Sequence, residues 1–144
     1  MEFKLEGRLV GGAYPPLVIA EIGINHGGSL AVAKEMVDAA VKAGAEVIKH
    51  QTHIPDQEMS NEAKETIPAN DPRSIYDIIS SCTLCLEDER ELKAYVEARG
   101  AIFLSSPFSF AAVDRLEEFG VSAFKVGSGE CNNHPLLEYI AQKG

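Results

Sequence analysis

Two lysines lie inside short apolar runs of the sequence, and their chemistry is the clearest signal in the chain. Lys49 stands in EVIKHQT and Lys125 stands in AFKVGSG. A charged ammonium in a buried strand is costly unless an opposite charge pairs with it. Two such lysines at equivalent positions predict one shared anion, and a phosphorylated carboxylate would suit them. The alternative is that each lysine pairs with a nearby carboxylate, such as Glu21 or Glu130, for structural reasons.

Polar residues end each of four apolar runs, always at the carboxyl end. In chain order these residues are Glu21, followed by Asn25 and His26; Lys49 and Gln51; Ser105 and Ser106; and Lys125, Ser128 and Glu130. Polar strand ends on one face of a parallel sheet are where barrel active sites form. This agreement in place and type favours the shared anion, with serine hydroxyls donating to its phosphate. Glu21 and Glu130 fit equally well as acid–base groups or as counter-ions of the lysines.

The elements that position these residues alternate along the chain. The predicted strands are Leu17–Gly23, Glu46–Thr52, Ala101–Pro107 and Ala123–Gly129, and the predicted helices are one capped by Ser29, then Ser74–Ser81, Glu87–Arg99, Phe110–Phe119 and Pro135–Lys143. Strands that are apolar throughout and alternate with helices indicate parallel βαβ packing. A small hairpin at Glu2–Val10 is expected to precede the first strand and close one end of the sheet.

Two architectures fit this alternation: an open doubly wound sheet and a (β/α)8 barrel. The first strand–helix turn, GINHGGS, does not match the G-x-G-x-x-G dinucleotide fingerprint. We therefore predict an α/β fold of the (β/α)8 TIM-barrel type. Residues 1–144 would supply the first four βα units, as the N-terminal half of the barrel domain.

Several smaller features leave alternatives open. Asn70 is the best ligand candidate in the long polar loop 54–72, but it equally suits a turn before Pro72. The loop's acidic residues, Glu58 among them, are expected to form a solvated face. The CxxC pair Cys82 and Cys85 has no second CxxC, so it is expected to be incidental.

The four histidines show no metal-ligand spacing. Strand alternation predicts that His50 packs between strand and helix. His26 suits either ligand contact or a loop-organising role, and the sequence leaves His53 and His134 undecided.

The charge and hydropathy of the chain exclude some functions. Acidic residues number 22 against 13 basic, for a net charge of -9. Nucleic-acid binding normally requires a basic face, so we expect no nucleic-acid partner. No apolar run approaches the roughly 18–20 residues that span a bilayer, and the first residues lack a signal-peptide core. A cytoplasmic protein without a membrane partner is expected.

Four motifs taken together resemble the sialic acid synthase family, which includes N-acetylneuraminate synthases and their legionaminic and pseudaminic acid relatives. They are AEIGINHGG (20–28), IKHQTH (48–53), FLSSPFS (103–109) and KVGSGECNN (125–133). Each motif lies at a predicted strand end, and they follow in order along nearly the whole chain. The stretches MSNEAK and IPAND–SIYDI are especially similar to bacterial N-acetylneuraminate synthases.

The resemblance implies a reaction. Such enzymes join C3 of phosphoenolpyruvate to the aldehyde carbon of an open-chain N-acetylmannosamine-type sugar, water adds at C2, and phosphate leaves by C–O cleavage. It also implies a divalent cation, Mn²⁺ or Mg²⁺, whose ligands would lie beyond residue 144, so that this chain supplies none. A small antifreeze-like domain would follow the barrel, and the full-length protein would be a homodimer.

The resemblance assigns roles to individual residues as well. Lys49, Lys125 and Ser128 match positions that hold phosphoenolpyruvate, with Ser106 on its phosphate. Glu21 matches a carboxylate beside the reacting centre, while Gln51, Asn70 and Glu130 match positions near the sugar or intermediate. Ser106 stands where many members have threonine, and His50 stands where phenylalanine is commoner.

Two competing hypotheses remain. A Schiff-base aldolase of the barrel type would need one lysine neutral, and two neighbouring lysines could depress each other's pKa. The chain could instead be a catalytically incompetent half-barrel that serves only in folding or assembly. Without the later barrel strands and the small domain, the 144 residues alone are expected to be inactive.

Overall fold

The computed structural model describes residues 2–143, which form two small sheets and seven helices. The strands are β1 Glu2–Leu5, β2 Arg8–Gly11, β3 Ile19–Gly23, β4 Val47–Thr52 and β5 Ile102–Pro107. The helices are α1 Leu30–Lys42, α2 Pro55–Glu58, α3 Asn61–Lys64, α4 Ile75–Cys82, α5 Leu86–Ala98, α6 Phe110–Glu118 and α7 His134–Ala141, with a 3-10 helix at Ser128–Glu130. No helix in this part of the chain is both long and apolar enough to cross a membrane.

The main sheet is parallel, as the alternation of strands and helices predicted. Its strand order is β3-β4-β5, and Lys49 of β4 lies opposite Glu21 on one side and Leu104 on the other. The fold is therefore α/β with a parallel sheet. Residues 2–143 do not close a barrel.

Four of the helices, α1, α3, α4 and α6, begin at a serine whose hydroxyl accepts a backbone N–H. Ser29 accepts from Val32 at the start of α1, and Ser109 accepts from Ala112 at the start of α6. Such a side chain satisfies one of the amide groups that a helix leaves free at its first turn. The predicted cap of the first long helix is thus confirmed.

The sheet has two different faces. Ile48 and Phe103 point toward the helices, where they form the main core with side chains of α1, α5 and α6. Val47 and Leu104 point to the opposite face, where they pack against Leu5 of the hairpin. Because side chains alternate along a strand, Lys49 and Gln51 share the face of Val47 and lie away from the helices.

The hairpin β1–β2 is confirmed, and it lies at the amino ends of the parallel strands. Arg8 donates to Glu46, just before β4, through its Nε at 2.6 Å from Oε2. Ser122 donates to Glu6 at 2.7 Å. The hairpin therefore closes the amino end of the sheet and leaves the carboxyl end, where the candidate residues lie, uncovered by it.

The predicted fourth strand, Ala123–Gly129, is wrong. Phe124 forms a single parallel bridge to Ser105, and the Lys125 N–H donates to the Ser105 carbonyl at 3.0 Å. Pairing then stops, and residues 128–130 wind into the 3-10 helix. Gly127 and Gly129 have low strand propensity, which favours the winding over a continued ladder.

Candidate active site

Glu21 and Lys49 form a close ion pair at the carboxyl end of β3 and β4. The Lys49 Nζ lies 2.6 Å from Glu21 Oε1. The lysine is buried, whereas the glutamate side chain is 55% exposed. The hydrogen bond from Lys49 holds the pKa of Glu21 below its usual range, and the charge of Lys125 adds to this effect. Lys49 therefore pairs with a nearby carboxylate, which was one of the two alternatives that the sequence left open. This pairing uses one of its three ammonium hydrogens and leaves two for another acceptor.

Lys125 and Ser106 lie beside this pair without comparable partners. Lys125 follows the Ser105–Phe124 bridge by one residue, so it stands next to Ser106 in register. Phe124 packs toward the helix-side core, which turns Lys125 toward the face of Lys49. Among residues 2–143 no carboxylate lies within ion-pair distance of Lys125, and the buried Ser106 Oγ has no hydrogen-bond partner. A buried hydroxyl without a partner beside two lysines is suited to an anion.

A chain of hydrogen bonds extends from Glu21 along β4. Gln51 Nε2 donates to Glu21 Oε1 at 3.4 Å, and Gln51 Oε1 lies 3.2 Å from His53 Nε2. His53 Nδ1 in turn lies 2.8 Å from Glu58 Oε1, and the Ile54 N–H donates to the other Glu58 oxygen at 3.3 Å. The Glu58 side chain is only 5% exposed. The expectation that Glu58 belongs to a solvated face is therefore wrong, because the short helix α2 folds it back onto His53.

A pocket of about 220 Å³ opens next to this chain. Its lining combines His53, Glu58 and Glu130 with the apolar side chains Met59, Ile75, Ile79 and Phe108. The His53 ring stacks on Phe108 with centroids 4.4 Å apart and planes 7° apart. The pocket thus places apolar surface and two carboxylates beside the polar strand ends.

The remaining predicted site residues lie in more exposed positions. Glu130 lines the pocket and accepts from Asn133 Nδ2 at 2.7 Å, while Ser128 is exposed in the 3-10 helix. Asn70 is exposed in a turn that the Asp71 N–H closes onto the Pro68 carbonyl at 3.5 Å. No hydrogen bond in the described chain joins Asn70 to the Lys49 group, so the structure supports its turn role.

The helix-side face of β4 carries a second, wholly buried polar group. Glu89 of α5 accepts from Thr52 and from Arg115 Nη1 at 3.1 Å. Burial raises its pKa. His50 Nε2 lies 3.5 Å from Glu89, but burial lowers the pKa of His50 to about 3, so this contact is not an ion pair at neutral pH. The prediction that His50 packs between strand and helix is confirmed, and this group stands apart from the candidate site.

His26 makes a contact that suits the loop-organising role. It is buried, and its Nδ1 accepts the Gly28 N–H at 3.2 Å within the loop that follows β3. Burial also lowers its pKa, so the ring is neutral at pH 7. His26 therefore braces the first strand–helix turn.

The side chains described here do not fit a metal site. Within residues 2–143 no three His, Cys, Asp or Glu side chains converge as metal ligands would. The roles proposed for these residues therefore involve no metal ion.

Curated proteins of known name are similar to nearly the whole chain. The N-acetylneuraminate-9-phosphate synthase of Homo sapiens is 40% identical over 100% of the chain and 42% of its own length. The N,N'-diacetyllegionaminic acid synthase of Campylobacter jejuni subsp. jejuni is 35% identical over 88% of the chain and 39% of its own length. The chain thus spans well under half the length of the curated relatives it matches.

A solved structure shares the fold. The N-acetylneuraminic acid (sialic acid) synthetase of Leptospira borgpetersenii serovar Hardjo-bovis, in complex with citrate, superposes with a TM-score of 0.87 at 30% identity. The match covers 99% of this chain and 47% of that one. The sequence profile of the NeuB family matches residues 36–144, which is most of the chain. On these grounds the chain belongs to the NeuB family.

Proposed function

We propose that this chain is the N-terminal part of a nonulosonic acid synthase that condenses phosphoenolpyruvate with N-acetylmannosamine or a related acetamido sugar. The observation that carries the proposal is the trio of Lys49, Lys125 and Ser106. Lys49 and the buried Ser106, whose hydroxyl has no partner within residues 2–143, lie at the carboxyl end of the parallel sheet, and Lys125 follows the bridge to Ser105 by one residue. The relatives are named as synthases of sialic and legionaminic acids, which fits this chemistry.

The trio would bind the phosphoenolpyruvate anion. Lys125 and the free donors of Lys49 supply positive charge, and Ser106 Oγ donates to a phosphate oxygen. Ser128, exposed in the 3-10 helix three residues after Lys125, would add a further hydroxyl. Such fixed charges bind the substrate and stabilise the phosphate as it leaves C2 with the C–O bond electrons.

Glu21 would act as an ionised carboxylate beside the reacting carbons. Lys49 lowers its pKa, so it is deprotonated at neutral pH and cannot serve as a general acid in that state. It is suited to orient the water that adds at C2 or to accept its proton. Gln51, Glu130 and Asn70 are proposed to lie nearer the sugar, Asn70 after movement of its exposed turn.

The architecture proposed for the whole protein follows from the same family membership. The three-stranded parallel sheet is the first part of a (β/α)8 barrel, and the activity belongs to the full-length homodimeric, cytoplasmic enzyme with its divalent cation. Residues 1–144 alone are then inactive. The parallel β3-β4-β5 order supports this architecture.

The geometry around Lys49 disfavours the Schiff-base alternative. A nucleophilic lysine must be neutral, but a carboxylate at 2.6 Å stabilises the charged ammonium. Borohydride trapping with pyruvate separates the two chemistries, because only a Schiff-base enzyme becomes covalently labelled.

The proposal is tested by phosphate release from phosphoenolpyruvate with N-acetylmannosamine and manganese, measured on the full-length gene product. We expect sugar-dependent release that falls at least about 10- to 100-fold in Lys49→Ala and Lys125→Ala, since each removes a charged hydrogen bond. Lys42→Ala, at the exposed end of α1, is the matched control and should retain activity.

The other outcomes of this assay are equally informative. Release only with a 2,4-diacetamido-trideoxy sugar keeps the reaction and changes the substrate. The absence of release with any acetamido sugar would contradict the proposed function.

A further inference from the structure

His53 is held between two groups that both accept hydrogen bonds. Glu58 Oε1 lies 2.8 Å from its Nδ1, and Gln51 Oε1 lies 3.2 Å from its Nε2. Stacking on Phe108 fixes the plane of the ring, which is only 6% exposed. A ring so placed can satisfy both neighbours only if both nitrogens carry a proton, that is, as an imidazolium.

A neutral ring would change the orientation of Gln51. With its single proton on Nδ1, facing Glu58, the ring would present a bare Nε2, which is an acceptor. Gln51 would then have to turn its amide by half a rotation to donate to Nε2. That rotation would point Gln51 Oε1 at the carboxylate of Glu21, where two oxygens repel each other, and the 3.4 Å donation to Glu21 would be lost.

We propose that the His53–Glu58 pair is a positioning pair, which stays charged so that Gln51 keeps its amide N–H directed at Glu21. Neither His53 nor Glu58 needs to touch substrate. Their effect passes through Gln51 to Glu21 Oε1, the same carboxylate oxygen that accepts from Lys49. The inference rests on the proposed function in one respect only, which is that Glu21 lies beside the reacting carbons.

The other charged groups around His53 come from several elements. Glu130 of the 3-10 helix lines the same pocket, and Glu89 of α5 lies behind β4. Glu130 supports a positive ring as a carboxylate, whereas burial raises the pKa of Glu89 and disfavours its charged form. Lys49 and His50 stand on the same strand, and His50 is neutral at physiological pH because its pKa is about 3. Within residues 2–143, Glu58 is the one carboxylate among these groups that contacts the ring directly, with Oε1 at 2.8 Å from Nδ1.

The charge state of His53 is directly measurable. Nitrogen-15 NMR of the full-length protein, labelled at histidine and assigned with a His53→Gln variant, distinguishes an imidazolium from a neutral ring. We expect an imidazolium for His53 at pH 7 and conversion to a neutral ring in Glu58→Gln. A neutral His53 in the wild type would overturn the proposal, whatever the protein catalyses.

The link to catalysis is tested by a double-mutant cycle between Glu58 and Gln51. Glu58→Gln should lower kcat by about tenfold or more, as small misplacements of a reacting group do, while the KM for phosphoenolpyruvate stays nearly constant. In a Gln51→Ala background the same substitution should have almost no further effect, because the residue through which it acts is gone. Equal effects in both backgrounds would show a general structural role and overturn the proposal.

Glu65→Gln serves as the matched control. Glu65 is exposed at the end of α3, and its side chain makes no hydrogen bond within residues 2–143, so this variant should match wild-type kcat. If the wild type releases no phosphate with any sugar, the proposed function fails, and the NMR measurement still decides the state of His53. If the wild type is active but Glu58→Gln has the same effect with and without Gln51→Ala, the proposed positioning role of His53 and Glu58 is wrong and the proposed function stands.

Discussion

Glu21 and Lys49 differ in burial, and this difference makes the pair testable by titration. The hydrogen bond from the buried ammonium lowers the pKa of the half-exposed carboxyl. The ion pair therefore stabilises the folded protein fully at pH values above the ordinary pKa of glutamate. This stabilisation is lost as the pH falls through the lowered pKa of Glu21. We expect Lys49→Met to raise the pKa of Glu21 toward its ordinary value, as followed by carbon-13 NMR of the side-chain carboxyl. An unchanged titration would show that Lys49 is not the main cause.

Burial of His50 makes the stability of the protein depend on pH. Burial lowers its pKa to about 3, against about 6.5 for an ordinary histidine. Between these values the unfolded chain binds more protons than the folded one, so stability falls as pH falls, by up to about 1.4 kcal/mol per pH unit. His50→Phe removes this proton uptake and the buried Nδ1 that has no partner among the described residues.

The measurement for His50→Phe is urea unfolding at a series of pH values from 7 to 4. The variant should be at least as stable as the wild type at pH 7 and should gain on it steadily as the pH falls. Glu89, whose raised pKa makes stability rise as pH falls, is present in both proteins and so does not create the difference. Parallel pH curves for the two proteins would contradict the lowered pKa of His50.

The sequence predicted the site residues that lie on strands, but it did not predict the contact between His53 and Glu58. Lys49, Gln51 and Ser106 are set by strand alternation, which has a fixed period of two, and the structure brings them to one face. The His53–Glu58 contact was missed because it depends on how α2 turns the chain back over five residues. A Pro at the first position of α2 and the acid three residues later were the only local signals for that turn.

At Gly28 the loop after β3 packs closely against the end of α4. Its φ is +77°, and a Cβ at this position would lie 2.7 Å from the backbone carbonyl oxygen of Ser81. Gly27 also has a positive φ, of +57°, but a Cβ there would meet nothing within 4 Å. An alanine at Gly27 would therefore introduce backbone strain alone, whereas an alanine at Gly28 would introduce backbone strain and a steric clash.

We expect Gly28→Ala to destabilise the protein more than Gly27→Ala does. The control should cost about 1–2 kcal/mol for the left-handed conformation alone, and Gly28→Ala should exceed it by about 1 kcal/mol or more, because a backbone atom must move. Urea unfolding of both variants gives the comparison. Equal losses would mean that the loop and α4 are not held in contact.

Helices with a strong periodic pattern of apolar residues could be predicted from the sequence. A strand that forms only if a neighbouring strand pairs with it could not. α1 and α5 place apolar residues such as Val37 and Val96 at helical spacing, so sequence and structure agree on them within a few residues. The run Ala123–Gly129 is as apolar as the other strands, but a strand needs a ladder of backbone partners, and Ser105 offers it only one bridge and one hydrogen bond. That difference lies in tertiary packing, which local pattern does not contain.

At the scale of the whole molecule, the free edge of β3 determines how these residues behave on their own. β3 pairs with β4 along one side, and no strand within residues 2–143 pairs along its other side. Val18 and Ile19 at the start of this edge are 53% and 46% exposed. An unpaired edge with exposed apolar side chains is a template for association with another chain.

We expect residues 1–144, produced alone, to show a mass that rises with concentration in analytical ultracentrifugation. Ile19→Lys should suppress this association, because a charged side chain at an edge opposes strand pairing. Phe3→Lys is the matched control, since Phe3 is 56% exposed on the hairpin and lies outside the main sheet. If Phe3→Lys suppresses association as strongly as Ile19→Lys, the cause is general apolar surface, and the β3 edge is not the site. A monomer at all concentrations would show that the hairpin and loops protect this edge.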